Sequence, residues 1–440
     1  MKDLFCELIA SAQERPRRES SPRDVEITAA NGKIAVCIGV RRCGKSTLME
    51  QHLQALEAQG VARENMVIIN FADERLTGMQ KENWDELYAA YYSMYPQKRH
   101  REKVYFCFDE IQMQPHWELF VERLRREENC EIYITGSSAK MLSREIHTAL
   151  RGRTLTWELF PFSFGEYLGR SGIARRGHST TYRMQLLNAW ERYKAEGGFP
   201  EAFGQGTEWR RRLFQDYFDT LLYRDVIDRY NVSQPIVLRE LARRMLSSIG
   251  SRFSVNKVCN DLRSQGLSIG KETLMQYMEW LEDAYFLFSV PSCTPSVSER
   301  FRQMRKIYCI DHAMAHTFCA AFSHREGQSL ENMVYLALRR RSAEIYYYTT
   351  GKRLEVDFLA VEPGTQRHLL LQVSSDMSAP ATRHRELRAL QEAMAETRIQ
   401  TGYVITEDAS ETISTPGGTI QLIPAAEFLA LANPWTVTER

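Results

Sequence analysis

The chain has 440 residues, of which 43% are hydrophobic and 26% charged, so it can bury several globular cores and is not mainly disordered. Its 57 basic and 56 acidic side chains leave a formal charge of +1, a field that neither demands nor excludes a nucleic-acid partner. Nine scattered cysteines without a CxxC pair argue against a disulfide framework or a zinc site, and Asp3 and Glu7 stand where a signal peptide would be apolar. We therefore expect a cytoplasmic protein without a membrane span.

In chain order, a short helical pattern and an Arg- and Ser-rich loop at 14–23 come first. Short β-rich runs then alternate with helical patterns, which predicts a parallel sheet covered by helices. The five predicted strands lie at 34–38, 66–71, 104–108, 132–135 and 155–159.

Residues 39–47 read GVRRCGKST and lie between an apolar strand and a helix, the context of a phosphate-binding loop. In such a loop main-chain amides surround phosphate oxygens, the lysine neutralises the β- and γ-phosphates, and the next hydroxyl ligates magnesium. The alternative is a chance glycine turn. The predicted ATP and Mg²⁺ site consists of Gly39, Val40, Arg41, Arg42, Cys43, Gly44, Lys45, Ser46 and Thr47.

The run VYFCFDEIQ at 104–112 ends a buried strand with two carboxylates. An ionised pair there needs a counter-charge, which a metal–nucleotide complex provides. We predict that Asp109 holds magnesium through water and that Glu110 deprotonates the attacking water. The alternative is an acidic helix cap after a core strand.

The next predicted strand is followed by hydroxyl groups. Ser137 or Ser138 would lie beside the acidic pair if the sheet order follows, as a sensor of the γ-phosphate, although either serine fits equally well as a helix cap. Arg151 and Arg153 come next. A guanidinium there would stabilise the transferring phosphoryl group in cis or in a neighbouring subunit, but arginines are common on surfaces.

After a Gly-Gly-Phe-Pro turn at 197–200 the pattern becomes helical at 213–229 and 237–249. Ser254 is then a predicted cap of a helix that stops at Gly266; a helix at 273–283 and an apolar run at 285–290 follow, and together they resemble a winged helix-turn-helix. The rest returns to a mixed α/β pattern. It predicts helices at 330–341 and 382–396 and strands at 345–349, 355–360, 369–374 and 403–406.

Several further motifs lie along the chain and carry a family resemblance when taken together. They are GVRRCGKST, NFADERL at 70–76, CFDEIQ at 107–112, ITGSSAKML at 134–142, LRGRTLTWELFPFSFGEYL at 150–168, GGFPE at 197–201, YRDV at 223–226, EVDF at 355–358 and LQVS at 371–374. This set resembles the AAA+-like ATP-binding proteins of bacteria and archaea that carry a C-terminal domain of unknown function 4143. The resemblance implies an additional-strand P-loop NTPase core, a winged helix and a PD-(D/E)xK-like α/β domain, and leaves the partner open.

On this basis we predict a leader at 1–30, an AAA+-like ATPase domain at 31–200, a helical linker with a winged helix at 201–300, and a restriction-endonuclease-like domain at 301–440. A metal-dependent nuclease of the restriction type needs an acidic residue on a helix, an Asp on a strand and an E-x-K trio on the next strand. Glu331 and Asp357 fill the first two places, but the third reads Gln372-Val373-Ser374.

An amide is a poor ligand for a hard cation, and a serine cannot replace the lysine charge that steadies an attacking hydroxide. We therefore expect an inactive or strongly weakened nuclease fold, with Lys352 as one alternative source of a relocated cation. Basic clusters at 98–103, 210–212 and 339–341 suggest DNA contact, although they fit solvated helix faces equally well. The helix at 271–283 carries four acidic residues against Lys271 alone.

Four functions follow from these residues. The first is an ATPase that remodels or moves a partner, with DNA as the favoured cargo. The second is a nucleotide-gated switch or scaffold for a protein partner. The third, a P-loop kinase, is disfavoured because Glu110 suits water activation, and the fourth, a nuclease, is disfavoured by Ser374. Homo-oligomers are compatible with all of them.

Overall fold

A computed structural model describes residues 1–29, 32–136, 152–294, 304–318, 326–341, 344–365, 367–431 and 433–439. The chain forms two compact units, residues 1–160 and residues 161–440. Within the described ranges, no helix combines the length and the apolar character that crossing a membrane requires.

The first unit is built on a five-stranded sheet. Its strands are β1 (Ile34–Ile38), β2 (Met66–Asn70), β3 (Val104–Asp109), β4 (Cys130–Gly136) and β5 (Thr154–Glu158). They pair in the order β2-β3-β4-β1-β5, and every pair is parallel. The helices of this unit are α1 (Lys2–Glu14), α2 (Lys45–Ala58), α3 (Asn83–Met94) and α4 (Trp117–Glu127).

Strands β1 to β4 are mostly apolar because both faces of this part of the parallel sheet are covered, whereas β5, at one edge, has a single buried residue. All five residues of β1 are buried. Since β4 lies between β1 and β3, the sheet has the additional strand that the resemblance implied. The register sets Ile38 beside Gly136 and Phe108 beside Ile134, so the carboxyl ends of β1, β3 and β4 meet at one edge. The polar side chains that follow these strands therefore gather there.

The leader belongs to this unit. Helix α1 packs on α3 and β2 and buries Phe5 and Ile9. The Arg- and Ser-rich segment then runs along α2, where Arg17 pairs with Glu57 at 2.7 Å. This segment leads the chain to the start of β1.

The second unit begins with helices. They are α5 (Phe164–Arg170), α6 (Thr180–Glu196), α7 (Thr207–Thr220), the π-helix Leu221–Ile227 that continues α7, and α8 (Pro235–Leu246). The motif YRDV lies in the π-helix. This geometry is rare in proteins overall, and where it occurs it is frequently at a functional site. The Gly-Gly pair after α6 is explained by close contact: a Cβ on Gly198 would lie 2.4 Å from the carbonyl oxygen of Phe162.

A three-stranded antiparallel sheet follows. It contains β6 (Arg252–Phe253), β7 (Leu287–Val290) and β8 (Arg305–Cys309) in the order β6-β8-β7, with α9 (Val255–Ser264) and α10 (Lys271–Asp283) between β6 and β7. The prediction of the cap is confirmed, since Ser254 Oγ accepts a hydrogen bond from the Lys257 amide at 3.3 Å. The predicted stop at Gly266 is also met, because this glycine has φ +81°.

The last part of the second unit is a mixed six-stranded sheet with flanking helices. Its elements are α11 (His312–Thr317), α12 (Glu326–Arg339), β9 (Glu344–Thr349), β10 (Glu355–Val361), β11 (His368–Ser374), α13 (Pro380–Thr397), β12 (Thr401–Thr406), β13 (Glu411–Thr415), β14 (Gly418–Pro424) and α14 (Ala425–Leu429). The strand order is β13-β14-β12-β11-β10-β9. Helix α13 packs Leu390 and Met394 on this sheet, in a core with Leu370 and Val404.

Candidate functional site

The predicted phosphate loop connects β1 to α2 and turns at its two glycines. A Cβ on Gly39 would lie 2.1 Å from the carbonyl oxygen of Leu159, so the position has no room for a side chain. Gly44 has φ +101°, a left-handed conformation that glycine adopts without strain, and it precedes the first residue of α2. Burial raises the pKa of the Cys43 thiol within the loop, which keeps this group neutral. The loop thus presents main-chain NH groups at the start of a 14-residue helix.

Lys45 is held by the loop itself. Its side chain is buried, and Nζ donates hydrogen bonds to the carbonyl oxygens of Gly39 at 2.9 Å and Val40 at 3.0 Å. Arg23 braces the loop from outside, because its guanidinium donates to the Cys43 carbonyl at 2.8 Å and to the Phe160 carbonyl at 2.6 Å. No sequence pattern pointed to Arg23, which lies in the segment predicted to be a loop.

The predicted magnesium ligands are in contact. Ser46 Oγ donates to Asp109 Oδ2 at 2.7 Å. The other carboxylate oxygen, Oδ1, accepts from Thr135 Oγ1 at the end of β4. Thr135 is fully buried and was not among the predicted site residues. Strand alternation could have identified it, since it precedes the predicted serines on the strand next to β3.

Glu110 follows β3 with φ +50°, which is a strained left-handed conformation for a residue with a side chain. Two contacts hold it there. Its main-chain NH donates to Thr135 Oγ1 at 3.2 Å, and Gln112 Nε2 donates to its carboxylate at 2.5 Å. Thr135 therefore links both acidic residues to the additional strand.

The remaining predicted residues of this site are either outside the described residues or away from the phosphate loop. Ser137, Ser138 and Arg151 lie outside the described residues. Arg153 is described but is not brought to the loop. Its carbonyl accepts from the Ile34 amide at the start of β1, the opposite end from the phosphate loop, and its guanidinium pairs with Glu122. This placement corrects the expectation that Arg153 acts in cis; an action in trans stays a prediction.

In the second unit, Glu331 on α12 and Asp357 on β10 are brought together, as the sequence pattern indicated. The cation between them is Lys306 of β8, whose Nζ lies 3.0 Å from Glu331 Oε1 and 2.7 Å from Asp357 Oδ1. The alternative prediction, in which Lys352 supplies the cation of this site, is wrong. The Lys352 side chain is 69% exposed and pairs with Glu392 at 3.2 Å.

The third nuclease position is taken up by protein contacts. Gln372 Nε2 donates to Glu386 at 2.6 Å, and its Oε1 accepts from the Asp357 amide at 3.2 Å. Ser374 Oγ donates to the carbonyl oxygen of Asp376 at 3.1 Å. Across the described parts of the chain, no cluster of three or more His, Cys, Asp or Glu residues is arranged to hold a metal ion.

Three family models match consecutive parts of the chain. They are an AAA domain at residues 31–168, domain of unknown function 8612 at 187–325 and domain of unknown function 4143 at 326–428. A full-length relative connects them: the uncharacterized protein MJ1544 of Methanocaldococcus jannaschii is 31% identical over 404 residues, which cover 90% of this chain and 87% of that protein. The chain belongs to this AAA–DUF4143 family.

A second relative of the AAA–DUF4143 protein comes from Haemophilus influenzae. This uncharacterized protein is 28% identical over 331 residues, which cover 74% of this chain and 79% of that one. Among solved structures, the Walker-type ATPase PABY2304 of Pyrococcus abyssi matches with a TM-score of 0.40 and 14% identity over 64% of this chain and 90% of that chain. The Aeropyrum pernix ORC1 protein in complex with DNA matches with a TM-score of 0.30 and 14% identity, covering 72% and 90% of the two chains.

The resemblance to AAA+-like proteins with a C-terminal domain of unknown function 4143 is thereby confirmed. The AAA–DUF4143 protein has an AAA-type P-loop fold, because the AAA family model spans the phosphate loop and the acidic pair, and the all-parallel sheet agrees with it. The match to domain of unknown function 8612 begins within α6 and includes residues 201–300, which the sequence analysis assigned to a helical linker and a winged helix.

Proposed function

We propose that this AAA–DUF4143 protein binds ATP with Mg²⁺, hydrolyses it, and couples turnover to a partner bound by the C-terminal half. The observation that supports this most directly is the contact of Ser46 with Asp109 at the N-terminus of α2, at 2.7 Å. A hydroxyl and a carboxylate on neighbouring elements form the oxygen ligand set that Mg²⁺ takes beside a triphosphate.

The chain's own groups have distinct roles in this proposal. Lys45 exchanges the carbonyl oxygens of Gly39 and Val40 for phosphate oxygens, and its ammonium neutralises their charge. Bound Mg²⁺ would supply charge neutralisation at the phosphates. Ser46 and Asp109 would hold that ion. Glu110 orients and deprotonates water, and its left-handed backbone keeps the carboxylate at the carboxyl edge of the sheet.

Two substitutions separate binding from hydrolysis. Lys45→Ala should weaken nucleotide binding, and Glu110→Gln should retain ATP while turnover falls by about a hundredfold or more. Binding is measured by calorimetry with Mg·ATP and turnover by phosphate release. Glu127→Gln, on the exposed end of α4, is the matched control and should turn over normally. Normal hydrolysis by Glu110→Gln would remove Glu110 as the water activator.

DNA is the partner we propose first. Residues 235–309 have the element order of a winged helix-turn-helix, with α8, β6, α9, α10, β7 and β8 in succession. We infer that α10 is the helix presented to a partner. Turnover with and without duplex DNA tests this proposal, and strong stimulation supports it. Retention of DNA by the ATP-bound Glu110→Gln variant is the complementary measurement.

A nucleotide-gated switch for a protein partner is the second candidate, and the pairing of the basic clusters favours it. Arg211 and Arg212 both contact Glu208, at 2.8 Å and 3.2 Å. Lys98 pairs with Glu102 at 2.9 Å, and Lys103 pairs with Glu131 at 2.6 Å. Such pairs reduce the positive field that DNA phosphates would meet. Slow, DNA-independent turnover with retention of a protein by the Glu110→Gln variant would select the switch.

We further propose that the C-terminal region does not cut DNA. The Gln372 amide and the Ser374 hydroxyl are engaged by protein groups, and neither supplies the charge that the nuclease positions need. Plasmid incubated with Mg²⁺ or Mn²⁺ should remain supercoiled. Cutting that is lost in Asp357→Ala would overturn this proposal.

A further inference from the structure

Lys306 is a buried lysine at the centre of the nuclease-like carboxylates. Its side chain is 2% exposed, and Nζ contacts Asp357 at 2.7 Å, Glu355 at 2.8 Å and Glu331 at 3.0 Å. The residue comes from β8 of the three-stranded sheet, whereas the carboxylates come from α12 and β10. An isolated buried charge is strongly unfavourable, so a lysine at this depth requires the acidic partners that surround it.

Most carboxylate oxygens around Lys306 already accept hydrogen bonds or form ion pairs within the protein. Asp357 Oδ1 accepts from Lys306, and Asp357 Oδ2 accepts from the Val373 amide at 2.9 Å. Glu331 Oε1 accepts from Lys306 and from Tyr308 Oη at 2.7 Å. A divalent ion at this place would have to displace the ammonium and break hydrogen bonds. The residues present therefore do not fit the metal that a PD-(D/E)xK-like fold implies.

We infer that the ammonium of Lys306 takes the place of the divalent metal at this site. Its ion pairs with Glu331, Glu355 and Asp357, here called the lock, then have a structural role inside the C-terminal unit. This inference is independent of ATP binding, because every residue in it belongs to residues 161–440. It assigns a role to Glu331 and Asp357 that needs no catalysis.

Electrostatics support the same assignment. Burial disfavours the charged ammonium, but Asp357, Glu331 and Glu355 outweigh burial and hold the pKa of Lys306 well above its usual range. A second cation lies beside these carboxylates, since Arg252 of β6 contacts Glu355 at 2.5 Å. Lys306 and Arg252 both belong to the three-stranded sheet, and both reach acidic residues outside it.

The lock joins the three-stranded sheet to α12 and β10. Beside the charged groups, Asn332 of α12 clamps the main chain of β8: its Oδ1 accepts from the Cys309 amide at 2.7 Å and its Nδ2 donates to the Cys309 carbonyl at 3.0 Å. Amide and ion-pair contacts thus act on the same strand. The ammonium of Lys306 thus contributes to holding the three-stranded sheet against α12 and β10.

The test compares Lys306→Met with Lys352→Met, which removes an exposed lysine paired with Glu392. Each full-length variant is melted without nucleotide, with and without Mn²⁺. Removing one partner of a buried ion pair leaves unpaired charge, so Lys306→Met should lower the melting temperature of the C-terminal unit by about 10 °C, and Lys352→Met by about 1 °C or less. Mn²⁺ should recover several degrees for Lys306→Met, because the carboxylates are then open to a metal. Wild type should not respond.

A double variant provides a second test if Lys306→Met alone is too unstable to fold. Lys306→Met combined with Asp357→Asn removes charge of both signs and should fold more stably than Lys306→Met alone. Equal instability of the single and double variants would overturn the inference. So would equal stability of Lys306→Met and Lys352→Met, a missing Mn²⁺ response in folded Lys306→Met, or Mn²⁺ binding by wild type that Asp357→Asn abolishes.

Discussion

Thr135→Val tests the link between the additional strand and the acidic pair. The two side chains have nearly the same shape, so the substitution removes one hydroxyl with little change in packing. Thr135 Oγ1 donates to Asp109 and accepts from the Glu110 amide. A hydrogen bond to a charged group contributes about 1.5–3 kcal/mol and a neutral one about 0.5–1.5 kcal/mol, so the loss should be about 2–4.5 kcal/mol.

The assay is urea unfolding of the N-terminal unit, followed by its tryptophan fluorescence, with ATP turnover measured in parallel. Thr154→Val is the matched control. Thr154 lies on β5 of the same sheet and its hydroxyl is buried without a hydrogen-bond partner in the described structure, so removing it should leave the free energy of unfolding unchanged or raise it by about 1 kcal/mol. Thr135→Ser, which keeps a hydroxyl, should fall between wild type and Thr135→Val.

Turnover should fall with Thr135→Val because Glu110 loses the hydrogen bond that holds its strained backbone. A loss of about 1.4–2.8 kcal/mol in positioning corresponds to a decrease of about 10- to 100-fold. If Thr135→Val and Thr154→Val unfold at the same urea concentration and turn over alike, the hydroxyl of Thr135 does not hold the acidic pair.

Three further predictions use the same unfolding and binding assays. Gly39→Ala places a Cβ 2.1 Å from a main-chain oxygen, and should cost about 1–3 kcal/mol of unfolding free energy and weaken nucleotide binding, whereas Gly169→Ala, with open space around its Cβ, should do neither. Gly198→Ala, 2.4 Å from another carbonyl oxygen, should destabilise only the C-terminal unit. Burial lowers the pKa of His52 below its usual 6.5, so the unfolded chain takes up the proton first and stability should decline as pH falls below about 6.5; His52→Gln should flatten that decline.

Much of the fold was predictable because buried strands and helix faces consist of apolar residues at regular spacing in the sequence. Strands β1 to β4 are short, mostly apolar runs, since both their faces are largely covered, and the predicted strand at 34–38 coincides with β1. The hairpin of β13 and β14 was not predicted, because β13 lacks this apolar pattern. Strand β13 is mostly exposed and reads Glu411-Thr412-Ile413-Ser414-Thr415, without the apolar run that marks a core strand.

The candidate sites were predictable only where their residues share a motif. Lys45 and Ser46 belong to one loop, and Asp109 ends an apolar strand, so spacing alone indicated them. Lys306 belongs to no such motif. It lies 25 residues from Glu331 and 51 from Asp357, and a lysine in a strand ordinarily faces solvent, so only the packing of β8 against α12 reveals its role.

Arg23 has a practical consequence for anyone who trims this protein. The AAA family model begins at residue 31, yet the guanidinium that grips the Cys43 carbonyl and the apolar face of α1 both come earlier. A fragment cut at that boundary would retain every motif residue and still lose the brace of its nucleotide loop. Affinities measured on such a fragment would then understate those of the intact chain.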